Sequence, residues 1–551
     1  MARSVTELAG QASARRGTPR FALTVLCTIL FLTFLDNTIV SVALGSVWAQ
    51  LHSSVAQLQW VVGAYALTFA SAMLAFGMVG DEFGRKRVML AGVGIFCAGS
   101  VLSALAPSVG VLIAGRAVMG LGAAASEPGT LSMLRQLYPD ERIRARAVGV
   151  WTAVSALALA FGPVFGGVLV GLWSWRAVFW FNLVFGLAAL VTAMIVLPEN
   201  SDPTAHRVDI GGTVLGAACL TALSFAVIDA ETTGFSSPVV IGLLCAGLVA
   251  GAAFVWQERR APHPLLDLRY LRVPRFLTAN VVAFCAYLAT FAVFFFSALY
   301  LVEVVSYSGY KIAAVYLPMT ALIIISALVA GRIVTTVGAR WLIFIGCILF
   351  GGGLLLTTVI LSPHPSVLPL ALTLALAGIG IGTTLVPVTA SALSAVPAER
   401  SGMAASAANT SREVGAVTGV AVLGYLTISQ LISNFDTAYN AMATREKLSP
   451  GLRVFFLNYA HGKILTGGIS GGPNLGVLGS HNLIVEMTNA AYSAFSDGLN
   501  IALYLSASLV LAAGLFAFVV LGRTSRTDGG SATAYQAGGP AAPDYGPPGQ
   551  I

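Results

Sequence analysis

A series of about fourteen apolar runs, each long enough to cross a bilayer as a helix, limits what this chain can become. A 30 Å hydrocarbon layer takes about 20 residues at a rise of about 1.5 Å each. Such runs occupy residues 21–47, 57–79, 86–106, 109–134, 147–172, 176–197, 209–229, 238–257, 276–302, 311–332, 341–361, 367–390, 402–429 and 499–521. Inside hydrocarbon each backbone N–H and C=O needs a partner within the protein, so repeated apolar runs of this length are helices. With 57% hydrophobic and 10% charged residues, against about 25% charged in a globular domain, the chain is expected to be an all-α integral membrane protein.

The distribution of positive charge tests the span count, because Lys and Arg collect in cytoplasmic loops. Threaded from a cytoplasmic N-terminus, 22 of the 30 basic residues fall inside and 6 outside, counting those at span ends with the adjoining loop, and only Arg116 and Arg412 lie in span interiors. Removing one span would invert the downstream loops and destroy the asymmetry. Both termini are therefore expected in the cytoplasm, at the plasma membrane. The net charge of +7 is spread over short loops and not gathered on one face, so nucleic acid is not an expected partner. All six cysteines lie in apolar runs without metal-site or disulfide spacing, and no metal site is expected.

The organisation that follows is a polar tail at 1–20 without a signal-peptide cleavage pattern, a six-helix bundle at 21–197, and two inserted spans with their flanking loops at 198–275. A second six-helix bundle covers 276–521 and includes an external loop at 430–498. The Gly/Pro-rich tail at 522–551 is expected to be disordered. The glycine-rich stretch at 461–476 leaves the external loop as either a partly ordered cap or a free segment. An internal echo supports the duplication: Gly77, Asp81, Gly84 and Lys86 recur at equal spacing as Gly331, Thr335, Gly338 and Arg340, with the carboxylate missing. Repeats of this kind characterise secondary transporters, whose sites lie between the repeats near the midplane.

Four motifs in order carry a family resemblance: LDNTIVSVAL (35–44), GMVGDEFGRKRV (77–88), LIAGRAVMGLGAA (112–124) and LAFGPVFGG (159–167). Together they resemble the fourteen-helix drug:proton antiporter branch of the major facilitator superfamily over roughly residues 21–521. The resemblance implies two six-helix bundles plus two inserted helices, alternating access between the bundles, and a proton gradient in place of any cofactor. It also implies that Gly77, Asp81, Gly84, Arg85, Lys86 and Arg87 form a cytoplasmic gate, with Asp81 near a helix N-terminus of the other half and Arg85 paired to it; a solvated loop that fixes orientation is the alternative. Glu82 stands where the family usually carries a basic residue, which alters the charge balance of that gate.

Asp36 lies sixteen residues beyond Arg20, about 24 Å along a helix, where a carboxylate must be paired, protonated or wet. It is read as a proton or substrate site, or as a structural hydrogen-bonding group. Arg116 and Glu127 are eleven residues apart, about three turns and 16 Å, so they share a face expected to line the cavity but cannot touch. Glu127, followed by Pro128, is a proton carrier or a structural acid at a kink. The resemblance implies that Arg116 assists proton transfer by modulating an acid such as Asp36; bracing of helices is the other reading.

Gly162, Pro163, Gly166 and Gly167 interrupt the fifth span. Proline removes a backbone hydrogen bond and the small residues permit close packing; the resemblance ties this motif to export, while an ordinary helix crossing would use the same residues. Trp60, Tyr65, Phe291 and Phe295 are placed at the substrate cavity, where aromatic faces can stack on a hydrophobic or cationic ligand, with packing as the alternative. Arg412 joins them, although Arg412 and Glu413 are about 100° apart on the wheel, so that one faces the cavity and the other solvent, or both are structural.

No GK[ST] phosphate loop, HExxH or cysteine pair is present, so an enzyme or ATP-driven pump is not expected. The sequence points to a proton-coupled exporter of amphipathic, cationic or neutral drugs. A dedicated exporter of an endogenous metabolite or lipid-like molecule, and a non-transporting receptor or scaffold, remain open alternatives. Oligomeric state is not legible.

Overall fold

The computed structural model describes residues 19–199, 209–261, 264, 267–303, 305, 307–361, 366–396, 401–445 and 481–537; side chains at some positions within these, Asp81 and Glu82 among them, lie outside the description. Fourteen α-helices occupy the described residues: α1 (Pro19–Leu51), α2 (Val55–Phe83), α3 (Arg85–Ala104), α4 (Val109–Leu137), α5 (Glu141–Leu172), α6 (Arg176–Val196), α7 (Ile210–Thr233), α8 (Pro238–Arg260), α9 (Pro274–Glu303), α10 (Gly309–Val337), α11 (Ala339–Ile360), α12 (Val367–Ser394), α13 (Ser401–Arg445) and α14 (His481–Ala537). Twelve stretches are long and apolar enough to cross a membrane, and α5, bent by 41° between Gly149–Leu159 and Phe161–Leu172, supplies a thirteenth. The remaining helix, α2, has 29 residues and includes side chains outside the description. The all-α membrane architecture expected from the apolar runs is the one observed.

Polar residues set the helix starts. Ser54 and Gln57 form a capping box at α2, and the Asp140 and Asp209 carboxylates accept the backbone N–H groups of Ile143 and Gly212 at the starts of α5 and α7. Each occupies amide groups that have no partner within their own helix.

The two halves repeat the same packing. The first helix of each, α1 and α9, is the most enclosed, with 89% and 83% of the membrane-crossing window buried. Between α2 and α3 the chain turns at Gly84 with φ 101°, and between α10 and α11 at Gly338 with φ 85°, a backbone conformation that side chains with a Cβ resist. Just past each turn a cation meets backbone carbonyls of the last helix of its own half: Lys86 Nζ donates to Met194 O at 2.8 Å and Leu197 O at 2.6 Å, and Arg340 Nε donates to Phe518 O at 2.9 Å. The echo at Gly331 to Arg340 is thus a structural one.

The inserted pair is peripheral, with only 11% of each window buried, yet α7 sits across the seam. Trp60 of α2 packs on Phe225 at 5.3 Å and Tyr425 of α13 packs on Phe235 at 4.7 Å.

Two terminal expectations are adjusted. The loop read at 430–498 is shorter, because α13 runs on to Arg445 and α14 begins at His481; residues 446–480, including the glycine-rich stretch, lie outside the described ones. The tail read as disordered from 522 continues α14 to Ala537, since extending an existing helix adds a hydrogen bond per residue without a new nucleation cost.

Candidate functional site

The site begins with three consecutive residues of α1. Successive helical side chains turn by about 100°, so Asp36, Asn37 and Thr38 address three different neighbours. Asp36 turns into its own half: Arg116 Nη1 of α4 pairs with its Oδ2, and Asn182 Nδ2 of α6 donates to its Oδ1 at 2.5 Å. The arginine is held further by Nε donation to Val61 O at 3.0 Å and by the Tyr65 ring 4.4 Å beneath its guanidinium. The Tyr65 hydroxyl donates in turn to Thr33 O at 2.9 Å. Asp36 and Arg116 are both fully buried. A buried pair relies on further hydrogen bonds to its lone pairs and protons; here both carboxylate oxygens are occupied, while Arg116 Nη2 and Asn182 Oδ1 have no hydrogen-bond partner among the described residues.

Thr38 repairs α5. Pro163 has no N–H, which leaves the carbonyl of Leu159 one turn earlier without its helical donor; Thr38 Oγ1 donates to that carbonyl at 2.9 Å. The glycines make the approach possible. A Cβ on Gly162 would stand 2.8 Å from Ile39 N, one on Gly166 2.6 Å from Ile39 O, and one on Gly167 2.7 Å from Gly309 O of α10. The GPxxGG motif is therefore the seat of α1 and of one inter-half contact.

Asn37 crosses between the halves. Its Nδ2 donates to Glu413 Oε1 of α13 at 2.9 Å. A second crossing lies between α4 and α13, where Asn409 Nδ2 donates to Glu127 Oε1 at 2.6 Å. Asn409 Oδ1 accepts from Arg412 Nη1 at 2.8 Å, and Arg412 Nη2 reaches Thr389 Oγ1 of α12 at 2.5 Å. Glu127, Glu413, Asn409 and Arg412 are all buried. Among the described residues Glu127 Oε2, Glu413 Oε2 and Arg412 Nε have no hydrogen-bond partner. Each orphan costs about 1–3 kcal/mol, so this bridge is incompletely satisfied where the Asp36 carboxylate is complete.

Arg412 also lines an apolar cavity, together with Tyr287, Phe291 and Phe294 of α9, Ile381 of α12, and Leu159 from the bend of α5. Its guanidinium lies 5.5 Å from the Tyr287 ring centre.

Of the residues placed at the substrate cavity from sequence, Phe291 and Arg412 line this one. Trp60 lies at the α7 seam, Tyr65 under Arg116, and Phe295 packs on Phe296 at 4.7 Å. The helical face in use runs Tyr287, Phe291, Phe294, spacing i, i+4, i+7, which leaves Phe295 about 80° away at 100° per residue. Arg116 and Glu127 engage different partners, as their separation along α4 requires, but neither lines the cavity. Glu413, expected in solvent if Arg412 faced the cavity, is 1% exposed, because α13 places it against α1. Sequence reasoning passed over Asn37, Asn182 and Asn409: neutral amides barely alter a hydropathy profile. The available signals were Asn37 beside Asp36 within an apolar run, and Asn409 one turn before Arg412.

At the expected gate, Gly77 stands between Pro128 of α4 and Ser406 of α13, whose atoms would lie 3.8 and 3.9 Å from an added Cβ. Arg85 donates to Ser132 O at 3.4 Å and Arg87 pairs with Glu199 at 3.4 Å, so these contacts stay in the first half. The Asp81 side chain lies outside the description.

Two repeated six-helix halves and an inserted pair, with a polar seam and a cavity, have a family match: the model of the Major Facilitator Superfamily covers residues 26–420. The chain belongs to this superfamily. It is a multi-pass membrane protein of a transporter family. It is 35% identical over 408 residues to the multidrug resistance protein Stp of Mycobacterium tuberculosis strain CDC 1551, covering 74% of this chain and 75% of that one. It is 34% identical over 404 residues to the methylenomycin A resistance protein of Bacillus subtilis strain 168, covering 73% and 86%. Its fold resembles that of a bacterial homologue of the human lysosomal transporter Spinster in an inward-facing, unoccupied conformation, with TM-score 0.60, 17% identity, and 92% and 97% coverage.

Proposed function

We propose that this protein exports drug-like organic compounds across the cell membrane in exchange for protons, by rocking its two halves about the cavity beside Arg412. The observation that carries this reading is the pair of carboxyl groups, Glu127 and Glu413, buried at the seam and each held by an asparagine of the opposite half. An ionised carboxylate accepts about twice as strongly as a neutral one, so the empty, deprotonated carrier is locked across its seam. Protonating the acids loosens the lock. A ligand that draws Arg412 away from Asn409 and Thr389 loosens it as well. A carrier that reorients when loaded with either proton or substrate, and stalls with neither, exchanges one for the other.

In this scheme Asp36 and Arg116 hold the first half in register and bias the nearby seam, and the Gly77–Arg87 segment with Asp81 closes one end of the path. Relatives named for multidrug resistance and for resistance to methylenomycin A support drug export as the physiological task. The second of these names also favours a dedicated exporter of one compound; accumulation of a single native metabolite in a deletion strain would select that version.

The test is transport by the full chain in proteoliposomes. Substrate should accumulate against its gradient when a pH gradient is imposed and stop when a protonophore collapses it. Accumulation indifferent to the pH gradient would overturn proton coupling.

A further inference from the structure

Resting on the reading of this cavity as the drug site, we propose that it selects flat, uncharged aromatic compounds bearing hydrogen-bond-accepting oxygens, such as quinones and aryl ketones, over permanent cations. The juxtaposition behind this is two unpartnered donors on residues that line one cavity: Arg412 Nε–H and the Tyr287 hydroxyl. Both atoms lack a hydrogen-bond partner among the described residues, Arg412 is 3% and Tyr287 4% exposed, and both residues line the cavity.

The remainder of the lining determines the sign of the preference. Among the described lining residues no carboxylate appears, and the single charged group is the Arg412 cation. Thr290 and Thr384, the other hydroxyl side chains of the lining, already donate to Ala286 O at 2.7 Å and Gly380 O at 2.8 Å. The nearby buried acids are engaged in the bridge: Glu127 meets Arg412 by way of Asn409, and Glu413 turns toward Asn37. A cationic ligand would place like charge beside a buried guanidinium, where low dielectric makes repulsion costly. Cation–π attraction offers little relief at Tyr287, because Arg412 already lies over that ring. An acceptor oxygen, by contrast, would satisfy two buried donors whose isolation is otherwise unfavourable, while Phe291 and Phe294 present apolar surface to a planar ring system. The preference differs from that of a cavity walled by acids.

The experiment compares two tricyclic probes of similar size, 1,8-dihydroxyanthraquinone and the permanent cation ethidium, by equilibrium dialysis against the full-length protein in lipid nanodiscs. The quinone should bind at least about tenfold more tightly. Tyr287→Phe, which keeps the ring, should weaken quinone binding about fivefold, the loss of one neutral hydrogen bond, and leave ethidium unchanged. Arg412→Lys, which keeps the charge but loses the planar donor fork, should weaken the quinone more. Ethidium binding as tightly as the quinone, a quinone that fails to bind, or a Tyr287→Phe variant indistinguishable from the parent chain would each overturn the proposal. The export reading fails separately: ethidium that binds tightly and is driven by a pH gradient would refute this selectivity and support export, whereas a quinone that binds as expected but is never moved would refute export and leave the recognition standing.

Discussion

Two polar constellations lie close together in this membrane protein and differ in where their unpartnered atoms sit. The Asp36 cluster belongs to one half, joining α1, α2, α4 and α6; both of its carboxylate oxygens are occupied, and its unpartnered atoms among the described residues are on Arg116 Nη2 and Asn182 Oδ1, not on the acid. The bridge of Glu127, Asn409, Arg412, Asn37 and Glu413 spans both halves and leaves two carboxylate oxygens and a guanidinium nitrogen without partners among the described residues. A buried carboxylate with both oxygens occupied offers no free acceptor to a proton or a ligand and resists change. An incomplete one can be completed in a different way by a proton or a ligand. The first is suited to holding a bundle together, and the second to switching between bundles.

The contrast is best broken by mutating one side at a time. Arg116→Ala should have the largest effect, stranding the Asp36 charge and lowering stability by about 3–5 kcal/mol, visible as a large fall in melting temperature in detergent. Arg116→Lys, which keeps a cation, should recover much of it. Gly166→Ala comes next, because its Cβ would stand 2.6 Å from Ile39 O; overpacking of this order costs about 1–3 kcal/mol and should reduce transport and thermal stability together. If Gly166→Ala were neutral in both, the tight seat of α1 on α5 would be wrong. Thr38→Val should cost least, about 1 kcal/mol for the hydrogen bond to Leu159 O, a small shift in the same melting assay. A Glu413→Gln chain should differ in kind, with little loss of stability but a marked loss of coupling.

Much of the fold was legible because hydrocarbon is an unforgiving solvent. Apolar length alone located the helices. Duplication was visible in Gly84 and Gly338, which turned out to share a left-handed turn. The site was legible where charge had to be buried: Asp36, Arg116, Glu127 and Arg412 all attract attention inside an apolar run. What the sequence concealed was pairing. Nothing local says that Asn37 crosses to Glu413 while its neighbour Asp36 turns inward, because the partner lies 376 residues away and is chosen by helix packing. The aromatic face that lines the cavity runs through Phe291 and Phe294, at i+4 and i+7 from Tyr287, and not through Phe295.

The account turns on whether the seam bridge, distinct from the Asp36 cluster, makes exchange obligatory. The most direct measurement follows drug and proton fluxes in the same proteoliposomes for the parent chain and for Glu127→Gln/Glu413→Gln, whose amides imitate permanently protonated acids. The account predicts that the double variant still equilibrates drug down its own gradient yet no longer concentrates it when a pH gradient is imposed, with melting temperature nearly unchanged. Uphill, pH-driven export by the double variant at the parent rate would contradict it.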